Sequence, residues 1–177
     1  MSTADWSEGA HAALRRAGIG LLAHVPDAGL ARLIERCGAD PTMRVVGLAD
    51  EREGPALLAG AWLGGLKGVL ACQSSGVGNL VNMLGLAATG RFPLVMIVTM
   101  RGEWGEENPW QVPMGRAVPA VLEAMGVRLL SLERAEEAGA VLDGATGLAF
   151  GSEQRVAVLV RQRLLGAKRF LAAGGGR

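Results

Sequence analysis

The sequence predicts an α/β domain, a doubly wound, six-stranded, mostly parallel sheet with helices on both faces. Alternation is the first reason: six short apolar runs are each separated by a segment of helical character, and parallel neighbours need such a crossover, which is right-handed. The runs themselves are the second. Ile19–Val25, for example, is apolar at successive positions, as a strand covered on both faces is. The third is composition. Half of the 177 residues are hydrophobic, only 4% are aromatic, none is Tyr and 27 are Gly, so the core must be aliphatic and its layers closely spaced.

In chain order, Asp5 is an N-cap for a helix over 6–17, in which Trp6, Ala10, Ala13, Leu14 and Ala17 keep helical spacing before Gly18 ends it. A strand at 19–25, closed by Pro26, precedes a helix at 27–37. Then come a strand at 44–49, a helix at 51–64, a strand at 67–73, a helix at 78–89 and a strand at 94–100. A long polar loop leads to a helix at 116–125, a strand at 127–130, a helix at 134–148 and a strand at 155–160. Met83, Met96 and Met125 fall at apolar positions and read as core. The length suits one domain over 1–171, followed by a flexible tail at 172–177 that carries three consecutive glycines.

Charge and cysteine usage exclude several functions. Eighteen basic and 17 acidic side chains leave a net charge of +1, with no electrostatic footprint for a nucleic-acid backbone or an anionic membrane. The longest strongly apolar stretch, Pro93 to Met100, is about half of the ~18 residues that a bilayer span needs. The first residues are polar and do not resemble a secretory leader, so the cytoplasm is the expected location. Cys37 and Cys72 have neither disulfide nor metal-site spacing and read as buried thiols, and His11 reads as exposed on a helix face.

Ligands of open α/β sheets bind at the carboxyl ends of the strands, near a reversal of strand order. Four such ends are polar or glycine-rich here: His24 to Asp27, Ala49 to Glu53, Gln73 to Asn79 and Thr99 to Met114. Glu51 follows a strand and opens a helix, where a carboxylate is stabilised by free amides while facing a ligand; an ordinary capping cluster has the same appearance. Ser74-Ser75-Gly76-Val77-Gly78-Asn79 is a small-residue turn whose amides can approach a polar ligand, or a device for tight packing. It lacks both the Lys of a phosphate loop and the first Gly of a nucleophile elbow. Arg101 is the candidate anion contact in the long loop, although Glu103 and Glu106 are equally good partners for it. His24 ends the first strand, where a neutral imidazole can touch a substrate or simply satisfy its neighbours.

Together these segments resemble the pyrimidine-binding domain of thiamine-diphosphate enzymes, in particular sulfopyruvate decarboxylase alpha subunits and phosphonopyruvate decarboxylases. The resemblance runs from about Leu21 to Met125. It rests on Val25-Pro26, on Asp50-Glu51-Arg52-Glu53-Gly54 leading to Ala59 through Gly65, on Gln73 through Asn79, and on Arg101-Gly102-Glu103 with Gln111 through Gly115. It implies Glu51 as the catalytic carboxylate that hydrogen-bonds N1′ of the cofactor's aminopyrimidine. Glu53 is the competing choice, and Glu51 is preferred because it needs no insertion before Gly60. The implied cofactor contacts are Pro26, Glu51, Gln73, Ser75, Gly76, Gly78 and Asn79; His24, Arg101 and Gln111 are the implied substrate contacts.

The resemblance also implies a missing half. The Gly-Asp-Gly pattern that holds Mg²⁺ and the diphosphate does not occur in the chain, so these would be carried by a separate beta subunit in a hetero-oligomer. The apolar face of the helices that follow Glu51 and Gly78, with Trp62 and the Trp104 to Trp110 loop, is the expected contact surface. Two features depart from the relatives. The fourth-strand loop has no His for late protonation, and Asp27 stands where a small residue is usual, adding negative charge near a site for a dianionic 2-oxo acid. A non-catalytic binding or regulatory subunit, and a carboligase acting on another keto acid, are the competing expectations.

Overall fold

The computed structural model describes residues 5–167. In chain order the elements are α1 (Trp6–Arg16), β1 (Ile19–His24), α2 (Ala31–Ala39), β2 (Arg44–Gly47), α3 (Glu53–Leu63), β3 (Lys67–Gln73) and α4 (Ser74–Thr89). They continue with β4 (Leu94–Thr99), α5 (Gln111–Ala124), β5 (Arg128–Leu132), a 3-10 turn Ala135–Glu137, α6 (Ala138–Ser152), β6 (Arg155–Val160) and α7 (Gln162–Leu165). The tail expected at 172–177 lies outside the described residues.

The six strands form one sheet in the order β2-β1-β3-β4-β6-β5, and every pairing is parallel. Leu22 lies between Val45 and Val69, and Ile97 between Ala71 and Val158. Consecutive strand residues point to opposite faces, so each inner strand serves two cores. Leu22, Val69, Ile97 and Val158 meet Leu14, Leu33 and Leu142 from α1, α2 and α6. Leu70, Met96, Val98 and Leu159 meet Leu58, Leu80, Leu84 and Leu122 from α3, α4 and α5. A fully buried leucine is worth about 1.5–3 kcal/mol, and most of these side chains show no exposure at all.

Five helix starts differ from the sequence expectation: α3 begins at Glu53 instead of 51, which leaves Glu51 in the preceding turn, α6 begins at Ala138 after the 3-10 turn instead of at 134, and the other three differ for local reasons. Helix α2 begins at Ala31 instead of residue 27, because the Asp27 carboxylate accepts the Gly29 N–H at 2.9 Å and folds 27–30 into a turn. Helix α4 begins at Ser74, directly after β3, so the supposed glycine-rich turn is its first turn and a half. Helix α5 begins at Gln111 because Asn108 accepts the Trp110 N–H with its side chain and the Gln111 N–H with its carbonyl. Helix α7 had no counterpart in the sequence reading. His11 is not simply exposed: its Nε2 lies 3.0 Å from the Asp40 carboxylate. Both cysteines are buried and free. Among the described residues no helix is long and apolar enough to cross a membrane.

Candidate active site

Strand order reverses between β1 and β3, since β1 leads to β2 on one side and the chain then builds β3, β4, β6 and β5 on the other. The carboxyl ends of β1 and β3 therefore diverge into loops above a crevice. Glu51 stands beside it, in the turn between β2 and α3, and is 7% exposed. Close packing places this turn. A Cβ on Gly54 would lie 2.7 Å from a Leu70 methyl, so α3 starts in direct contact with β3.

The Glu51 side chain crosses to α4. Its Oε2 accepts a 2.9 Å hydrogen bond from Asn79 Nδ2. A Cβ on Gly76 would fall within 2.6 Å of the Glu51 Cγ and closer still to its carboxylate, so Gly76 is the space that this side chain fills. Glu53 behaves differently: it is exposed and accepts the Ala49 N–H at 3.2 Å, as a local cap. Of the two competing glutamates, Glu51 faces the cleft. That cleft, about 910 Å³, is lined by Glu51, Ser75, Gly76, Asn79, Trp110 and Met114, with Pro109, Pro113 and Ala117 at its edge. It combines one carboxylate with a few small polar groups and an apolar wall, and none of its lining residues is cationic.

A second cluster stands behind Ser75. The Asp27 carboxylate accepts from Gln73 Nε2, Thr99 Oγ1 and the Gly29 N–H, each at 2.9 Å. Gln73 Oε1 in turn accepts from Ser75 Oγ at 2.6 Å. Burial pushes the Cys72 thiol up, and the negative charges of Glu51 and Asp27 add to this effect. Asp27 therefore joins β1, β3 and β4, and its charge is absorbed by donors.

Four of the expected cofactor residues, Glu51, Ser75, Gly76 and Asn79, are brought together in the cleft, with Gln73 one hydrogen bond behind. The others stand elsewhere. Pro26 is exposed in the loop after β1, and Gly78 faces Met114 where α4 packs on α5. His24 is 9% exposed, its Nδ1 has no partner, and burial lowers its pKa below the ordinary imidazole value. Gln111 opens α5, with its backbone carbonyl against Gly102 and its side-chain Oε1 buried without a partner.

Arg101, expected to meet an anionic substrate, is instead occupied by an anion of its own loop. Its Nε and one terminal nitrogen grip the two Glu106 oxygens at 2.7 and 2.6 Å, with the side chains 8% and 3% exposed. This pairing raises the Arg101 pKa and holds Glu106 down at about 2. Gln162 of α7 completes the anchorage by accepting the Glu103 and Trp104 N–H groups at 2.8 and 3.0 Å. The loop is thus braced so that Trp110, 82% exposed, stands beside the Glu51 cleft. Sequence reasoning named Glu106 as a possible partner of Arg101, but it missed Gln162 as part of the brace and Met114 as cleft wall. Trp62 lies away from this rim, with its ring 5.8 Å from Phe150, while Leu57, Leu63 and Leu86 on α3 and α4 are exposed.

No model of a known protein family matches the chain. It is 34% identical over 157 residues to the sulfopyruvate decarboxylase alpha subunit of Methanothermobacter thermautotrophicus, covering 88% of this chain and 95% of that one. The corresponding subunit of Methanocaldococcus jannaschii is 30% identical over 148 residues, covering 83% and 88%. A phosphonopyruvate decarboxylase of Streptomyces viridochromogenes is 40% identical over 114 residues, which are 63% of this chain but 29% of that enzyme. Among solved structures, a 2-oxoglutarate:ferredoxin oxidoreductase from Magnetococcus marinus superposes with a TM-score of 0.75 at 17% identity, over 91% of this chain and 29% of that one. At that identity the likeness concerns the fold alone.

Proposed function

The chain belongs to the sulfopyruvate decarboxylase alpha-subunit family, and from that premise we propose that it is the pyrimidine-side half of a thiamine-diphosphate-dependent 2-oxo acid decarboxylase. Sulfopyruvate, converted to sulfoacetaldehyde and CO₂, is the leading substrate. The observation that carries this reading is the buried Glu51 carboxylate, anchored by Asn79 and accommodated by Gly76 at the mouth of a cleft with an apolar wall.

These residues fit the cofactor's aminopyrimidine. The carboxylate offers a proton acceptor, Trp110 and Met114 provide apolar surface for an aromatic ring, and the glycine leaves room that a larger residue would take. Thiamine diphosphate, when bound, supplies the electron sink that makes loss of CO₂ from a 2-oxo acid feasible. The role of Glu51 is to share a proton with the pyrimidine N1′, and the role of Asn79 is to hold Glu51 in line. Trp110 and Met114 form the apolar side of the cleft that Glu51 lines.

The cations lie elsewhere. No cationic side chain lines the cleft, and among the described residues no group of three or more metal-ligating side chains occurs. We therefore assign Mg²⁺, the diphosphate and the charge balance of a dianionic substrate to a beta subunit that docks over the cleft, against the exposed Leu57, Leu63, Leu86 and Trp110.

The test is CO₂ release from sulfopyruvate, phosphonopyruvate and pyruvate with thiamine diphosphate and Mg²⁺, using this chain co-expressed with a beta-type partner. Release from one acid by the complex, and from neither chain alone, is expected. Glu51→Gln abolishes it while leaving assembly intact, and Glu53→Gln does not. Full turnover by a Glu51→Gln complex would remove the proposed role of that carboxylate.

A further inference from the structure

The polar cluster behind Ser75 has a direction, and the direction has a chemical consequence. We propose that Asp27 is a positioning residue that orients a hydrogen-bond chain running from Ser75 through Gln73 to itself. Ser75 then presents an acceptor to the Glu51 cleft and selects a ligand group that donates, an amino or hydroxyl group, over one that only accepts, such as a carboxylate or sulfonate.

A carboxylate has lone pairs and no proton to give. Facing Asp27 Oδ1 at 2.9 Å, Gln73 must turn its amide nitrogen toward it, which leaves the amide oxygen facing Ser75. Turning the amide over would set oxygen against carboxylate. With an oxygen 2.6 Å away, the single proton of Ser75 is committed to Gln73. Ser75 lines the cleft, and what its hydroxyl has left to offer there is lone pairs. The residue that looked like misplaced negative charge thus controls the polarity of a neutral group two hydrogen bonds away.

Asp27→Asn is the informative change because it is nearly isosteric and inverts the chain. The Gly29 N–H can only donate, so the asparagine oxygen must take the place of Asp27 Oδ2, beside Gly29 and Thr99. Its NH₂ then faces Gln73, which must flip and donate to Ser75. The Ser75 proton is released toward the cleft.

The direction of the chain is read without any ligand, by NMR on the full chain labelled at side-chain amides. In the native protein, Ser75→Ala is expected to leave the Gln73 NH₂ protons nearly unmoved, since they donate to Asp27. In the Asp27→Asn background the same substitution is expected to shift them markedly. A marked shift in the native background would overturn the proposal, and this arm needs no Asp27 variant to fold.

The ligand half rests on the functional reading above, and is measured as thiamine diphosphate affinity of the complex with a beta-type partner in Mg²⁺. Asp27→Asn is expected to weaken binding by about fivefold to tenfold, the size of one mismatched hydrogen bond. That loss should vanish when Ser75 is already Ala. An equal loss in both backgrounds would show Asp27 to be structural only and overturn the proposal. A native complex that binds no thiamine diphosphate would remove the functional reading, and the selectivity of Ser75 with it, whereas the NMR result would still decide the direction of the chain.

Discussion

Gly76→Ala is the most incisive perturbation, because the three atoms nearest the added methyl all belong to one side chain. The three atoms closest to its Cβ position are the Glu51 Cγ, Cδ and Oε1, the farthest at 2.6 Å. Ordinary carbon contacts lie at about 3.5–4.0 Å, so the carboxylate must retreat by more than about 1 Å and abandon its 2.9 Å bond to Asn79. Misplacing a reacting group by about 1 Å costs on the order of 10² in rate. Stability responds less. Overpacking costs about 1–3 kcal/mol, and alanine in place of glycine in a helix returns up to about 1 kcal/mol, leaving a net loss of about 0–3 kcal/mol. The assay is a double-mutant cycle by urea denaturation, alongside decarboxylation by the assembled complex. In the Glu51→Ala background the clash is gone, and Gly76→Ala should stabilise by about 0.5–1 kcal/mol. The same effect of Gly76→Ala in both backgrounds would refute the reasoning, as would undiminished turnover.

Further predictions concern the brace, the titrating groups and the thiols. A Cβ on Gly115 would lie 2.8 Å from the Arg101 carbonyl carbon and nearer its oxygen, so Gly115→Ala should displace the loop that carries Trp104 and Trp110, cost about 1–3 kcal/mol and change tryptophan emission. Glu106, held at about 2 by Arg101, contributes stability that is complete above the unfolded carboxyl value of about 4.3 and is lost as pH falls toward 2. Asp5 and Asp40, both at about 2 through their partners Arg36 and Thr42, act over the same window. Glu106→Gln should therefore flatten the acid limb of a stability–pH curve, while losing about 3 kcal/mol at pH 7 by leaving Arg101 unpaired. His24 is held below its ordinary value by burial, so its contribution is complete above pH ~6.5 and declines below it; His24→Gln should remove that part of the curve. Burial pushes Cys37 up to about 12 and Cys72 higher still, so a thiol-reactive dye should label neither until the chain unfolds.

Much of the architecture was legible because it depends on local patterns. The apolar runs at 19–25, 67–73 and 94–100 are buried on both faces and lack the length for helices, and together with the helical segments between them they point to crossovers and a parallel sheet. The polarity of the strand ends likewise singled out Glu51 and the Gln73 to Asn79 segment, within which the family resemblance named Ser75, Gly76 and Asn79, and the fold assembles these three with Glu51 in one cleft. Helix starts were harder to read, because they turn on individual side chains. Asp27 delays α2 by binding Gly29, and nothing interrupts the passage from β3 into α4.

Pairings between distant segments were decided only in three dimensions. Glu51, already preferred over Glu53 for its interval to Gly60, is held at the cleft by Asn79, 28 positions away, and by the space left at Gly76. Arg101 chose Glu106 from several carboxylates in its loop because α7, unforeseen in the sequence, brings Gln162 to hold that loop in place. Asp27 reads as stray charge along the chain and becomes the junction of three strands once Gln73 and Thr99 surround it. Hydrophobic periodicity is set by neighbours within a few residues, so it survives in one dimension. The partner of a polar group depends on which atoms the packed layers bring within about 3 Å, and that distance exists only after the chain has folded.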